Sequence, residues 1–345
     1  MVEIKSYWDD VREIQAEDLP WGLLKDSNIL VVGATGLIGS CLIDVLMHIH
    51  IPCQVYAAGR NEERARQRFA QYWEADNFHF FQQDVMQPIA SDKSFDYIID
   101  AASHASPNFF SKCPVEVIKS NIDGVSHLID YGREHQMRRF LYISTGEVYG
   151  TGAGTFREID SGYVNSMLPR SCYPSSKRAA ETLCASYTAE YGVDTVVARL
   201  SHTYGPHFTE SDNRVYAQFI RNVLNGENIL MKSDGSQLRS WCYVVDCVKA
   251  LLYILLKGEK GQAYNVADPS SCFSIRQLAE TIAKASGKKV IIQLPDKAEE
   301  SGKSQIPIAT FDIRKLQSLG FQMRGRWEDK LMATIVEQKR VTRPS

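Results

Sequence analysis

Residues 28–39 read Asn28-Ile-Leu-Val-Val32-Gly33-Ala-Thr-Gly36-Leu-Ile-Gly39. The first five, apolar after Asn28 and ending in two valines, have the length and composition of a strand buried on both faces. Three glycines at this spacing follow, and Ile38 to Met47 then takes up a helical pattern. One tight turn explains one glycine. Three of them between a strand and a helix let a backbone approach a pyrophosphate at the helix N-terminus. Gly33, Thr35, Gly36, Leu37, Ile38 and Gly39 are therefore the expected dinucleotide cradle.

Working outward, strands are expected at 54–58, 78–82, 97–100, 139–143 and 195–200, with helices at 62–73, 115–135 and 175–191. Strands alternating with helices imply right-handed crossovers and an α/β, Rossmann-like, doubly wound parallel sheet. After about residue 205 the rhythm changes to polar, loop-rich sequence, with a helix expected near 215–224 and a strand at 263–267. The chain thus divides into a lead-in (1–26), a dinucleotide-binding domain (27–204, with 239–267 returning to it) and a smaller C-terminal substrate-binding domain (205–238 and 268–345).

The 345 residues are 23% charged and 44% hydrophobic with a net charge of −2, which suits a globular chain and offers no basic patch for nucleic acid or a membrane surface. No apolar run approaches the ~20 residues needed to span a bilayer. The opening MVEIKSYWDD is unlike a secretory signal. Eight scattered cysteines show no CxxC pair and no zinc spacing, so free thiols in the cytoplasm are expected and no metal. Cys172 lies beside Tyr173, but no base can be named for it, and packing is its expected role.

Residues 173–177 read Tyr-Pro-Ser-Ser-Lys. On a helix, Tyr173 and Lys177 share a face. A nearby ammonium favours a phenolate, which would bring a tyrosine below its free pKa of about 10. A tunable phenol beside a dinucleotide suggests redox chemistry on an alcohol or ketone. Thr145, after the strand at 139–143, stands where it can donate to a substrate oxygen or to Tyr173. Lys177 can also hold the nicotinamide ribose. About 20 residues past the last glycine, where a carboxylate ordinarily holds the adenosine ribose, the chain reads Ala57-Ala-Gly-Arg60-Asn61. Arg60, with Arg64, could pair with a 2′-phosphate, so NADP is expected at least as readily as NAD. Asp84, past the third strand, is placed to touch the adenine. Tyr149 reads as a core aromatic.

Gly33–Gly39, Thr145, Tyr173-x-x-x-Lys177, Asn121 and Arg199…Tyr204-Gly-Pro206 together resemble the extended short-chain dehydrogenase/reductase family, whose members modify nucleotide sugars. The resemblance covers residues 28 to 267. Ala105-Ser-Pro107, Arg170-Ser-Cys-Tyr173, Lys177-Arg-x-x-Glu181-Thr and Asp212-Asn-Arg-Val215 look most like UDP-glucuronate decarboxylases. It implies oxidation at C4 of a nucleotide sugar by NAD(P), begun by Tyr173 taking a hydroxyl proton. Decarboxylation would follow, with a 4,6-dehydratase, a 4-epimerase, an NADPH-linked keto-sugar reductase or a non-catalytic NADP-binding sensor as alternatives. It further implies Glu147 as a group that positions substrate and manages protons, and Arg239 (in Asp234-Gly-Ser-Gln-Leu-Arg239) as a grip on the diphosphate. His202 and Arg214 would contact the sugar nucleotide. A homodimer through the helices at 115–135 and 175–191 is expected by the same analogy. Three positions depart from the pattern. Gly146 replaces the serine of decarboxylases and the aspartate of dehydratases, and His202 and His207 replace an asparagine and an arginine. An altered substrate or second step is the expected consequence, with either histidine as a new proton carrier or a structural residue.

Overall fold

The computed structural model describes residues 5–105, 107–152, 154–210, 212–293 and 308–342, without the side chains of residues 107, 108 and 308. The middle residue of the 105–107 motif lies outside this set.

Seven strands build one parallel sheet: β1 (Asn28–Val32), β2 (Gln54–Gly59), β3 (Phe78–Gln82), β4 (Tyr97–Asp100), β5 (Arg139–Thr145), β6 (Thr195–Leu200) and β7 (Ala263–Val266). Their order across the sheet is β3-β2-β1-β4-β5-β6-β7. The alternation of side chains explains the doubly apolar strands. Ile29 and Val31 enter the core on one face, while Leu30 and Val32 enter the core on the other. In β5, Leu141 and Ile143 go to the first core and Phe140 and Tyr142 to the second. Helices Leu37–His48 and Val244–Lys257 pack together on the first face. Helices Pro114–Glu134 and Cys172–Tyr191 lie against each other on the second.

The helix expected over 62–73 ends at Arg68, because Phe69 and Tyr72 turn back into the core. The one expected to begin at Ser175 begins at Cys172, which takes Tyr173 into its first turn.

A second sheet crosses the expected domain limits. Strands Cys272–Ser274, Leu238–Tyr243, Ile308–Phe311 and Gly154–Phe156 are adjacent in that order, and His202–Tyr204 pairs with residues 241–243. Residues 154–156 and 202–204 lie within the expected dinucleotide-binding segment, and 239–243 lie in its expected return. All join the second sheet, which is therefore woven from both sides of the expected boundaries. A two-stranded parallel pair, Ile229–Met231 with Val290–Ile292, completes the C-terminal part.

The lead-in docks through a buried polar cluster. Tyr7 donates to Asp44 at 2.6 Å, Tyr72 donates to the same carboxylate at 3.2 Å, and Arg68 pairs with both of its oxygens. Asp44 is fully buried.

Candidate active site

Strand order reverses between β1 and β4, the place where open parallel sheets leave a crevice for a ligand. Three strand ends converge there: β1 in the glycine turn, β4 in Asp100 and β5 in Thr145.

Gly33 has φ +77°, and a Cβ on it would stand 2.7 Å from the Ala101 carbonyl. A Cβ on Gly39 would stand 2.4 Å from the Gly33 oxygen. The helix beginning at Leu37 has Gly36 as its N-cap and no side chain bonded to its first N–H groups. Those donors and the positive end of the helix dipole remain for an anion. Leu37 and Ile38 spend their side chains on packing, so their backbone is what faces this turn. The Thr35 carbonyl accepts from Arg64 Nη2 at 3.0 Å. It is Arg64, rather than Arg60, that reaches the glycine turn. Arg60 is exposed, and its carbonyl accepts from Gln82. Asp84 is half-buried, and its Oδ1 accepts from the Met86 N–H at 3.0 Å.

β5 ends in a 3-10 turn over Gly146–Tyr149, and the Thr145 hydroxyl caps it by accepting from the Glu147 N–H at 3.3 Å. This places Thr145 and Glu147 side by side against the first turn of the Cys172–Tyr191 helix. The Tyr173 phenol is buried and stacked on Phe110 with centroids 4.6 Å apart. Burial and then the Glu147 charge push its pKa up, against the Thr145 hydroxyl and the cations Arg214 and Arg170. The pull that Lys177 was expected to exert on this phenol is not among the largest influences on it. The Lys177 ammonium donates to the Ile143 carbonyl at 2.7 Å and lies 4.5 Å over the Tyr142 ring. Burial lowers Lys177 to about 8, with Asp100 and Glu181 pulling the other way. Asp100, Tyr142's cross-strand neighbour, is raised to about 6 by burial, with Lys177 opposing.

Glu147 is not a solvated loop carboxylate. Arg170 Nη1 and Nη2 donate to its two oxygens at 2.7 and 2.8 Å, while the guanidinium lies 4.9 Å over Phe110. Arg239 feels the Glu147 charge, and His202 those of Arg239 and Arg214. Arg214 is fixed by Asp212, with Nε at 2.9 and 3.1 Å from the two carboxylate oxygens. Arg239 is buried and donates to Gln237 and to the Leu238 carbonyl. His202 is exposed, with its ring 5.4 Å from Trp241. The protein packed around it, and then the Arg239 and Arg214 charges, lower it to about 4. His207 stands elsewhere. Its backbone N–H donates to Gln338, and its ring packs on Tyr7 and Trp8, which fits the structural one of its two expected roles. It is a non-glycine residue at φ +62°.

The profile of the NAD dependent epimerase/dehydratase family matches residues 29–267. UDP-glucuronic acid decarboxylase 6 of Arabidopsis thaliana is 32% identical over 306 residues, which are 88% of this chain and 86% of that one. The chain belongs to the NAD dependent epimerase/dehydratase family. It is an enzyme of that family. Two solved family structures share its fold. One is the UDP-glucose 4-epimerase of Thermotoga maritima with UDP-glucose, at TM-score 0.78 and 23% identity, covering 92% of this chain and 100% of that one. The other is the UDP-glucuronic acid 4-epimerase of Bacillus cereus with UDP-glucuronic acid and NAD, at TM-score 0.78 and 21% identity, covering 91% and 99%.

The residues present fit the family's NAD. The cradle at Gly33 would be filled by a Cβ, and the helix start after Gly36 offers uncapped N–H donors. Tyr149 is a core residue, as its sequence suggested: its hydroxyl donates to Asn265 at 2.6 Å. The eight cysteines are free thiols, six of them buried, Cys172 included. Among the described residues no helix is long and apolar enough to cross a membrane, and no cluster could hold a metal ion.

Four residues of this region were not expected as parts of the site: Arg170, Asp100, Phe110 and Phe311. Arg170 lies in a quoted motif, but its partner is 23 residues upstream. Asp100 was legible only as a strand end. Phe110 and Phe311 carry no chemical signal in sequence, and only the fold brings them to Tyr173 and Gly146.

Proposed function

We propose that this enzyme modifies a nucleotide-linked sugar by way of a C4 ketone, with decarboxylation of a UDP-glucuronate-like substrate as the leading second step. The observation that carries the reading is the convergence of Thr145, the Glu147–Arg170 pair and the buried Tyr173 where the Gly146–Tyr149 turn meets the Cys172–Tyr191 helix. A bound nicotinamide supplies a reversible hydride acceptor. Tyr173, in its phenolate form, takes the proton from the C4 hydroxyl, and Thr145 holds the same oxygen. Arg239 and Arg214 give the site the positive charge that a diphosphate or a sugar carboxylate needs. With a carbonyl at C4, the bond from C5 to the carboxylate breaks and its electrons enter the enolate, so CO2 leaves without a proton. Glu147 and Arg170 lie beside this region to place the C5 substituent and return a proton.

Both NAD and NADP fit this reading. β2 ends at Gly59 with no acid, and the cations Arg60 and Arg64 that follow it support NADP as well as NAD. We also infer a homodimer, because helices Pro114–Glu134 and Cys172–Tyr191 pack side by side and leave Val115, Ile118 and Tyr191 exposed.

The test is a panel of UDP-, dTDP-, GDP- and CDP-sugars, incubated with NAD or NADP and followed by mass. UDP-glucuronate losing 44 mass units is expected. Recovery of every sugar nucleotide unchanged in mass and retention would sink the reading.

A further inference from the structure

Asp100 closes β4 with 2% of its surface exposed, and no step of the proposed reaction uses it. It is paired with Val32 on one side and with Tyr142 on the other. Residues paired across parallel strands point to the same face. Val32 and Tyr142 both enter the second core, so the Asp100 carboxylate lies on the face that carries the Cys172–Tyr191 helix. Lys177 comes down from that helix onto the same place. It too is 2% exposed, with its ammonium 4.5 Å over the Tyr142 ring and 2.7 Å from the Ile143 carbonyl. A buried carboxylate and a buried ammonium thus meet at one tyrosine, whose own buried hydroxyl has no hydrogen-bond partner among the described residues.

An ammonium taken out of water gives up its proton readily unless a counter-charge is buried with it. The titratable groups that bear on Lys177 are Asp100 from β4, Tyr142 from β5, and Glu181 and Cys184 from its own helix. The facing helix Pro114–Glu134 brings the neutral Asn121, which donates to Ser176. Burial pushes the Tyr142 phenol and the Cys184 thiol up, so both stay neutral. Glu181 is committed elsewhere. Arg199 Nε lies 3.1 Å from each of its oxygens and Nη2 2.7 Å from one, and Ser144 donates to it at 2.5 Å. Among the described residues no arginine chelates Asp100, whose Oδ1 accepts from the Ala102 N–H at 3.0 Å. Lys177 is the charge that acts on Asp100, and Asp100 is the foremost charge acting on Lys177. Asp100 carries its charge above about 6, so the counter-charge is present through the neutral range.

An ammonium has three donors, and one of these is spent on Ile143. The others remain for the ribose of the family's NAD, beside the strand end that enters the glycine turn. We propose that Asp100 is a positioning residue of the cofactor site, the buried counter-charge that keeps the Lys177 ammonium protonated and so able to hold the nicotinamide ribose at neutral pH. The inference rests on the fit to NAD and goes beyond the nucleotide-sugar reading, since it holds whichever sugar is bound.

The experiment is a calorimetric titration of the full chain with NAD, in half-unit steps from pH 6 to 9.5 and without any sugar nucleotide. The parent, D100N, K177M and D100N/K177M are compared. The protonated lysine is the form that grips, so affinity falls as pH climbs through its transition, at about 8 in the parent. In D100N that fall is expected about one pH unit lower or more, because an opposite charge buried nearby moves a pKa by roughly 1–3 units. At pH 7.5 NAD is then expected to bind D100N about threefold more weakly than the parent, with the two within about twofold at pH 6. K177M is expected to lose the fall, and D100N on that background to leave the affinity within about twofold. A merely structural role for Asp100 would lower the melting temperature and leave the midpoint of the fall in place. Should D100N fail to fold, D100S removes the same charge and keeps an acceptor for the Ala102 N–H, with the same shift expected. An unmoved midpoint in a folded D100N or D100S overturns the proposal. So does a fall that persists in K177M, or a loss of affinity that is equal with and without Lys177. A parent that alters no sugar nucleotide yet shows the shift would sink the nucleotide-sugar reading and support this inference. A folded parent that binds neither NAD nor NADP would overturn it.

Discussion

Arg170 holds both carboxylate oxygens of Glu147, at 2.7 and 2.8 Å, across 23 residues of sequence. Both side chains are more than a third exposed, so the pair adds little to stability. Its value is orientation: a forked guanidinium fixes the plane of the carboxylate, which a point-charged ammonium cannot. Arg170→Lys is expected to lower kcat by about tenfold or more, roughly 1.4 kcal/mol of transition-state stabilisation, while the melting temperature stays within about 2 °C. Steady-state kinetics beside a thermal melt check this. A variant as fast as the parent would show that the fork is ornamental.

Tyr173→Phe removes the proton acceptor and leaves the stacking on Phe110. Turnover is expected to fall by about 10²–10⁴, with sugar-nucleotide affinity changed less than about fivefold. Single-turnover absorbance and calorimetric titration separate the two. Equal loss of binding and turnover would assign the phenol to recognition instead.

Asp100 and Lys177 give the site a pH signature. Burial holds the Lys177 ammonium at about 8 against 10.5 in a free chain, so between these values the unfolded state carries the extra proton. Stability therefore rises as pH climbs through that window. Asp100 runs the other way. Raised to about 6 from 3.8, it keeps its proton in the folded state between those values, and stability falls as pH rises through them. Asp100→Asn removes that acid-side slope. It also withdraws a charge that raises Lys177, so the alkaline rise begins at lower pH. Urea unfolding at half-unit steps from pH 4 to 10 tests both limbs, and matching curves for variant and parent would contradict the coupling.

The lead-in is held by Tyr7 on Asp44, a 2.6 Å bond with both side chains buried. Tyr7→Phe is expected to cost about 1.5–3 kcal/mol, the range for a hydrogen bond to a charged group. Asp44→Asn strips the half-buried Arg68 of its fully buried counter-charge and should cost more, about 3–5 kcal/mol. Denaturant unfolding ranks the two, and the reverse order would mean that Arg68 finds another partner.

The parallel sheet was legible in the sequence because each strand is a short apolar run bounded by turns. β1, β3, β4 and β6 fall where their residues indicate, for local reasons alone. Tyr173, Lys177, Thr145 and the glycine turn were legible because their chemistry demands particular residue types at short spacing. The second sheet was not, since Gly154–Phe156 becomes a strand only by pairing with residues 309–311. The surroundings of His207 were hidden for the same reason. Its neighbours Tyr7, Trp8 and Gln338 come from the two ends of the chain, and no local pattern announces them. Lys177 shares its helix with Tyr173, as its spacing required, but its rotamer answers to Ile143.

Asn265 has a consequence for how the molecule comes apart. Fully buried at the end of β7, its side chain accepts from Tyr149 and donates to the carbonyls of Phe156 and Asp312, so one amide ties the catalytic turn, the second sheet and the C-terminal segment. Loss of any one of those strands leaves the other two with broken polar bonds in a dry interior. The two sheets should therefore melt as one cooperative unit, seen in calorimetry as a single heat-absorption peak rather than two.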